Sequence, residues 1–184
     1  ISGPSHAEEV ARENWTYLTL ACPNERLAER MADRMRTSWL RTETTDDLFG
    51  IELAAVIKNI YAVAAGIAHG LGLGDNFIAV MMSNALQETR GFLHAINETA
   101  RDVNSSAYMG DLLVTAYSPH SRNRRLGTMV GRGYRVTVFE RGDDMRKPLT
   151  GVAPKSINLV LTARGLRAVA LLGADILAEM LELA

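Results

Sequence analysis

In "IELAAVIKNIYAVAAG" (51–66), Lys58 and Asn59 stand in a run otherwise made almost entirely of Ala, Val, Ile and Gly. At helical spacing Lys58 shares its face with Ala54 and Ala55 before it and with Ala62 and Ala65 after it, Tyr61 lying alongside. Residues this small leave room for a second backbone or a flat ligand to approach the ammonium. Apolar surroundings disfavour the charged form of a lysine, which makes Lys58 a candidate to exchange a proton near neutrality. A lysine that lays its stem over an apolar face and keeps its head in water explains the same helix equally well.

A second group of polar residues lies in "YMGDLLVTAYSPHSRNRR" (108–125). Asp111 follows a glycine, and Thr115 falls at i+4, on the same helical face. After the "SPHS" turn, Ser121 occupies an N-cap position before "RNRR". A helix start offers free backbone N–H groups and the positive end of the dipole. With the Ser121 hydroxyl, the Arg122 guanidinium and the Asn123 amide, it forms a plausible cradle for one phosphate. A basic cluster is more commonly a solvated face, and the segment alone does not choose. A third segment, "GLGLGDN" (70–76), follows a helix instead of a strand and matches no phosphate-loop spacing. It reads as a helix-ending turn, with Asp75 or Asn76 capping the next helix.

The elements that must position these groups differ between the two ends of the chain. "SHAEEVAREN" reads as a short helix with serine at its N-cap, and "WTYLTLAC" (15–22) as a strand. "NERLAERMADRMRTS" (24–38) is an amphipathic helix with Leu27, Met31 and Met35 in one stripe, and 38–44 is a second strand. Two strands are marginal as a sheet, so these are expected to complete one supplied elsewhere. From residue 46 the pattern is helical, with helices near 46–69, 75–98, 107–116, 121–132, 155–169 and 172–183.

The composition is that of a soluble globular protein: 47% hydrophobic, 22% charged, formal net charge -1. That balance gives no general attraction for nucleic acid or an anionic membrane. Cys22 stands alone and has no internal disulfide partner, in keeping with a reducing, cytoplasmic setting. His6, His69, His94 and His120 lack metal-ligand spacing, and no metal is expected. The most apolar stretch, 53–74, is broken by Lys58, Asn59 and His69, and reads as a core helix instead of a membrane span. The abrupt start without methionine suggests that an N-terminal part is missing.

Together "ISGPSHAEEVA", "IKNIYAVAAGIAHGLGLGDN" and "GDLLVTAYSPHSRNRRLG" resemble the NAD(P)-dependent sn-glycerol-3-phosphate dehydrogenase family in its bacterial form. The match is dense in three ordered blocks to about residue 133. The resemblance implies a mainly α fold, a multi-helical C-terminal domain like that of the 6-phosphogluconate dehydrogenase superfamily. Residues 1–45 would be the tail of an NAD(P)-binding Rossmann domain and 46–184 the all-α substrate and catalytic domain. It implies Lys58 as the catalytic proton acceptor. It places Gly3, Ser5, Asn59, Asp111, Thr115, Ser121, Arg122 and Asn123 around the substrate, and Ala7 and Arg122 at the cofactor. The cofactor, NAD or NADP, would be held mainly by the Rossmann domain, which would also carry a second substrate-binding lysine.

The implied reaction interconverts dihydroxyacetone phosphate and sn-glycerol 3-phosphate for glycerophospholipid synthesis. The implied partners are a small phosphorylated substrate and the chain's own Rossmann domain, with a homodimer as candidate assembly. Four positions depart from the family pattern. Ala55 and Tyr108 stand where glycine is usual, His69 where an acidic residue is usual, and Thr150, in "PLTG", where a glutamate is usual. These departures point toward altered cofactor affinity or toward another phosphorylated hydroxy or keto compound. The remaining alternative is a non-catalytic helical dimerisation module.

Overall fold

A computed structural model describes residues 1–138 and 156–159. Near the N-terminus, strand β1 (Thr16–Ala21) pairs in parallel with β2 (Leu40–Thr45), Thr16 opposite Leu40 and Ala21 opposite Thr45. Helix α2 (Glu25–Met35) makes the crossover, capped by the Asn24 side chain, which accepts from the Leu27 N–H at 3.1 Å. It buries Ala28 and Ala32 and holds the sheet through the Thr42 hydroxyl, which donates to the Ala32 carbonyl at 3.1 Å. The Leu27–Met31–Met35 stripe is only partly used: Leu27 remains 49% exposed and Met31 41%. A two-stranded sheet is too narrow to cover a full apolar stripe.

Helix α1 (Ala7–Val10) has His6, not serine, at its N-cap, and no side chain bonds there. The Ser5 hydroxyl turns back to the Gly3 carbonyl at 3.0 Å instead. Residue 2 forms an antiparallel bridge with Thr19. Gly3, at φ 130°, lies so close to β1 that a Cβ would sit 2.5 Å from the Tyr17 carbonyl oxygen.

The body of the fold is helical, as the sequence pattern predicts. Helix α3 (Leu48–Leu71) begins at Asp47, whose carboxylate accepts from the Gly50 N–H at 3.0 Å, and ends at Gly72, which takes the left-handed φ of 78°. Helix α4 (Gly74–Ile96) has Leu73 at its N-cap without a side-chain bond. Asp75 therefore lies inside the first turn, acting on the dipole and not as a cap, and Asn76 follows within the helix. The expected helix 107–116 is two pieces: a π-helical turn (Ser106–Gly110) running directly into α5 (Asp111–Tyr117). Helix α6 (Arg122–Gly131) starts from Ser121, whose hydroxyl accepts from the Arg124 N–H at 3.2 Å, the cap read from sequence.

One helix expectation fails. Residues 156–159, placed in a helix by their apolar pattern, form strand β4 (Ser156–Leu159), paired in parallel with β3 (Arg135–Val138). "RVTV" is largely β-branched, and short apolar runs do not separate strand from helix by periodicity. The rest of the expected helix 155–169, all of 172–183 and Thr150 lie outside the described residues.

Helix α3 is the axis of the core. Ile57, Tyr61, Ala64, Ala65 and Ala68 pack with Ile78, Met81, Met82 and Ala85 of α4 and with Leu112 and Ala116 of α5. By length and composition alone its most apolar window could cross a bilayer, a test that a core helix, as read from the sequence, also passes. Half of that window is buried inside the protein, so the apolar surface has partners here.

Against α6, α3 makes a backbone-to-backbone crossing. Gly66 and Gly70 of α3 face Gly127 and Gly131 of α6. A Cβ at Gly70 would stand 2.5 Å from the Thr128 carbonyl oxygen, and one at Gly131 2.5 Å from that of Ile67. At Gly66 and Gly127 the overlap, with the Arg124 and Val63 carbonyls, is worse. An alanine in a solvated helix normally stabilises by about 1 kcal/mol over glycine. At Gly127 the sign should reverse: Gly127→Ala must push the helices apart and cost about 1–3 kcal/mol. Urea unfolding monitored by circular dichroism measures it, with Gly91→Ala, where a Cβ meets nothing within 4 Å, as the stabilising control.

Candidate functional site

The residues singled out by type converge near the middle of α3. Lys58 and Asp111, 53 positions apart in sequence, meet as an ion pair, Nζ to Oδ2 at 2.5 Å. The Asp111 side chain is 4% exposed and that of Lys58 22%. The ammonium is thus neither alone in an apolar slot nor out in water. It joins a buried carboxylate while keeping part of its surface accessible. Burying a carboxylate is tolerable only when it is paired and hydrogen-bonded. A second bond comes from Ser2, whose hydroxyl donates to the same Oδ2 at 3.0 Å.

Asp111 opens α5 directly after the π-helical turn, and its backbone N–H bonds back to the Ser106 carbonyl. Behind it, the Thr115 hydroxyl donates to the Asp111 carbonyl at 2.6 Å, so Thr115 braces the first turn instead of facing outward. Lys58 sits one turn beyond Ala54. On that side a crevice of about 10 Å³, room for one water, is lined by Ala54, Lys58, Leu86, Thr89, Tyr108 and Leu112. Ala62 and Ala65 are fully buried in the packing and take no part in an open surface, whereas Ala55 is half-buried.

The next residue ties the lysine to the second constellation. The Asn59 amide donates to the Ala55 carbonyl at 2.9 Å and its oxygen accepts from the Asn123 amide at 2.7 Å. The start of α6 is thereby joined to the turn of α3 that carries Lys58. Ser121 is buried with its hydroxyl engaged as N-cap, while Arg122 is exposed. In the same turn Arg124 Nε is buried with no hydrogen-bond partner among the described residues. Against the start of α5 lies the N-terminal segment: Ser2 reaches Asp111, a Cβ on Gly110 would meet the Pro4 ring at 3.5 Å, and His6 Nε2 lies 3.4 Å from the Val114 carbonyl. Gly3 is buried in this segment, Ser5 is half-buried, and Ala7 is exposed at the first position of α1.

Sequence reasoning missed Ser2 and a second network next to the site. Asp47 accepts from Arg101 Nε at 2.6 Å and from its terminal nitrogen at 3.1 Å, and the Tyr108 hydroxyl donates to the same carboxylate. The Arg101 side chain is 4% exposed. Burial pushes the Asp47 carboxyl up, but Arg101, the Tyr108 hydroxyl and the Gly50 N–H outweigh it and hold it below its ordinary 3.8. Burial, reinforced by Asp47, pushes the Tyr108 phenol well above its ordinary value. Nothing in the sequence marks the partners of Asp47, which lie 54 and 61 positions away.

His69, one of the departures from the family pattern, is exposed in the last turn of α3, eleven residues and about 16 Å along the axis from Lys58. Tyr108 is buried beside the lysine with its hydroxyl committed to Asp47.

A mainly helical domain with a lysine–carboxylate pair on its central helix, joined through an amide bridge to a polar helix start, is the class defined by this geometry. Residues 47–178 match the family model described as NAD-dependent glycerol-3-phosphate dehydrogenase C-terminus. Glycerol-3-phosphate dehydrogenase [NAD(P)+] 2 of Salinibacter ruber is 43% identical over 145 residues, covering 79% of this chain and 42% of that protein. The Bacillus cytotoxicus glycerol-3-phosphate dehydrogenase [NAD(P)+] is 42% identical over 152 residues, covering 83% of this chain and 44% of that one. The crystal structure of glycerol-3-phosphate dehydrogenase from Coxiella burnetii superposes with TM-score 0.70 at 35% identity, over 73% of this chain and 41% of that one. The chain belongs to the NAD-dependent glycerol-3-phosphate dehydrogenase family, and it spans about two-fifths of the length of these relatives.

The depressed Asp47 fixes a sign for acid stability. A group whose folded pKa lies below its unfolded value contributes fully above the unfolded value and loses that contribution as pH falls through the folded one. Stability should therefore decline below about pH 4. Asp47→Asn should flatten that decline, while costing on the order of 3 kcal/mol at pH 7 by leaving Arg101 without its charge partner. Chemical denaturation between pH 2.5 and 7 measures both.

Proposed function

We propose that this chain is the substrate-holding part of an NAD(P)-dependent glycerol-3-phosphate dehydrogenase, interconverting dihydroxyacetone phosphate and sn-glycerol 3-phosphate. The observation that carries the reading is the joining of the Lys58–Asp111 pair to the α6 start through Asn59 and Asn123. It brings a proton-exchanging group and a candidate phosphate cradle onto one construction, in the family to which the chain belongs.

In the direction of reduction, Lys58 donates its proton to the oxygen of the substrate carbonyl as charge develops there, and in reverse it accepts the proton of the secondary alcohol. Asp111 holds the ammonium in place, with Ser2 fixing the carboxylate oxygen that does so. The substrate phosphate is assigned to Arg122, Asn123 and the N–H groups at the start of α6, with the Ser121 hydroxyl organising that start as its cap. In the same turn Arg124 Nε is buried without a hydrogen-bond partner among the described residues, and an unmet buried donor costs about 1–3 kcal/mol. Gly3 and Ser5 are assigned to the substrate's other end, and Thr115 to support of Asp111. Holding the phosphate at one end and the carbonyl at Lys58 restricts the substrate to a reactive orientation.

The cofactor, NAD or NADP, supplies the hydride. The residues present fit its approach: Ala7 and Arg122, at the first positions of α1 and α6, are both exposed, and Arg122 offers a guanidinium to a phosphate. Residues 1–45 are assigned to the tail of a Rossmann domain and 46–184 to the substrate domain. A parallel strand pair with a helical crossover is the unit from which such sheets are built. A cytoplasmic setting, glycerophospholipid synthesis as the destination and a homodimer as assembly belong to the same reading.

The test is reduction of dihydroxyacetone phosphate by the full-length protein, followed by loss of nicotinamide absorbance. Lys58→Ala should lower kcat by about 10²–10⁴-fold, the range of a positioned acid–base group. Activity untouched by that substitution removes the assignment. Arg122→Ala should act mainly on the KM for substrate.

A further inference from the structure

The Asp47–Arg101–Tyr108 network has no role in the reaction as drawn, yet its Arg101 and Asp47 side chains are only 4% and 12% exposed. It joins three parts of the fold at one carboxylate. Asp47 caps α3 through the Gly50 N–H. Arg101 donates to the Asn97 carbonyl at 2.6 Å, at the end of α4, and brings the following loop with it. Tyr108 brings the π-helical turn. Gly50 provides the space, because a Cβ there would overlap Asp47 and stand 2.5 Å from the Tyr108 hydroxyl and 2.6 Å from Arg101 Nε.

The placement of that turn gives the network a consequence for the reactive pair. A π-helical turn is an unfavourable form of helix that persists where something holds it, often beside a functional residue. This one ends at Gly110, and the next residue is Asp111. Its first residue is tied to the strand unit, the Ser106 hydroxyl donating to Glu43 at 3.1 Å. Its middle is tied to the start of α3 by Tyr108. Lys58 lies on that same α3, so Tyr108 spans from the helix that carries the lysine to the turn that presents its carboxylate. Of the other contacts of Asp111, those with Ser2 and Lys58 act on the carboxylate, while the Thr115 hydroxyl braces the Asp111 carbonyl from within α5.

We propose that Tyr108 is a positioning residue, whose hydroxyl, held on the Asp47–Arg101 pair, sets the π-helical turn so that Asp111 meets Lys58. The proposal rests on the reading of Lys58 and Asp111 as the reactive pair. It makes Tyr108 a determinant of how well the pair is aligned, and not of how tightly the phosphate is held, because the α6 start is tied to α3 separately through Asn59 and Asn123.

The experiment is steady-state reduction of dihydroxyacetone phosphate by full-length wild type, Tyr108→Phe and Arg101→Lys, each with its melting temperature. Tyr108→Phe keeps the ring and deletes the bond, and Arg101→Lys keeps the charge and loosens the two-point hold on Asp47. A misplaced reacting group costs up to about 100-fold. Both variants are expected to lose about 10-fold or more in kcat with KM for substrate changed less than about twofold, assayed well below their melting temperatures. A lowered melting temperature with kcat unchanged makes Tyr108 a tie in the fold alone and overturns the proposal, as does a loss confined to KM. Should Tyr108→Phe fail to fold, Arg101→Lys decides on the same two readouts. Lys58→Ala, run alongside, separates the two failures. If it leaves activity intact, the reading of the reactive pair is what fails. If it abolishes activity while the other variants keep wild-type kcat, the positioning role alone falls.

Discussion

A buried carboxylate at the start of a helix constrains everything around it here. Asp111 is almost wholly enclosed, and in that setting an unpaired charge would cost several kcal/mol. Two things make it tolerable: the Lys58 ammonium and the Ser2 hydroxyl. Each comes from a different stretch of chain, so the carboxylate can be stable only if the N-terminal segment, α3 and α5 arrive together. The site is therefore a condition of the packing as well as a product of it.

The glycine crossing of α3 and α6 solves the complementary problem of bringing a helix start to a lysine. Side chains normally keep helix axes 8–10 Å apart. Removing them at Gly66, Gly70, Gly127 and Gly131 lets the backbones touch, and the amides of Asn59 and Asn123 close the gap at one end of the contact. The alanines near Lys58 belong to the same logic. Ala62 and Ala65 are buried by packing, so the small residues in this helix serve close approach of protein to protein more than space for a ligand.

What could be read in advance follows the range of the interactions. Helices α3 to α6 and the cap at Ser121 are set by periodicity and by contacts within one turn, and their expected extents agree with the structure to within a few residues. Lys58 and Asp111 were legible as unusual residues, and the family resemblance placed them in one site, but no local signal says that they touch. Ser2 and the Asp47–Arg101–Tyr108 network were illegible, because pairing across such separations leaves no periodicity. The serine expected to cap α1 was misread since its hydroxyl had a nearer carbonyl to satisfy, and "SINL" was misread since two apolar residues in a stretch of four are too few to fix a period.

The departures from the family pattern take on different weights once they are located. His69 is exposed and three turns away from Lys58, too far to bear on a substrate held at the lysine. Ala55 adds one methyl on a half-buried turn, and its carbonyl still receives the Asn59 amide. Tyr108 differs in kind, since a bulky phenol where glycine is usual must be given both space and a hydrogen-bond partner. Gly50 gives the space and Asp47 the partner, and neither would serve without Arg101 to balance the carboxylate. Of the departures that can be located, Tyr108 is thus the one that bears on how the turn carrying Asp111 is supported.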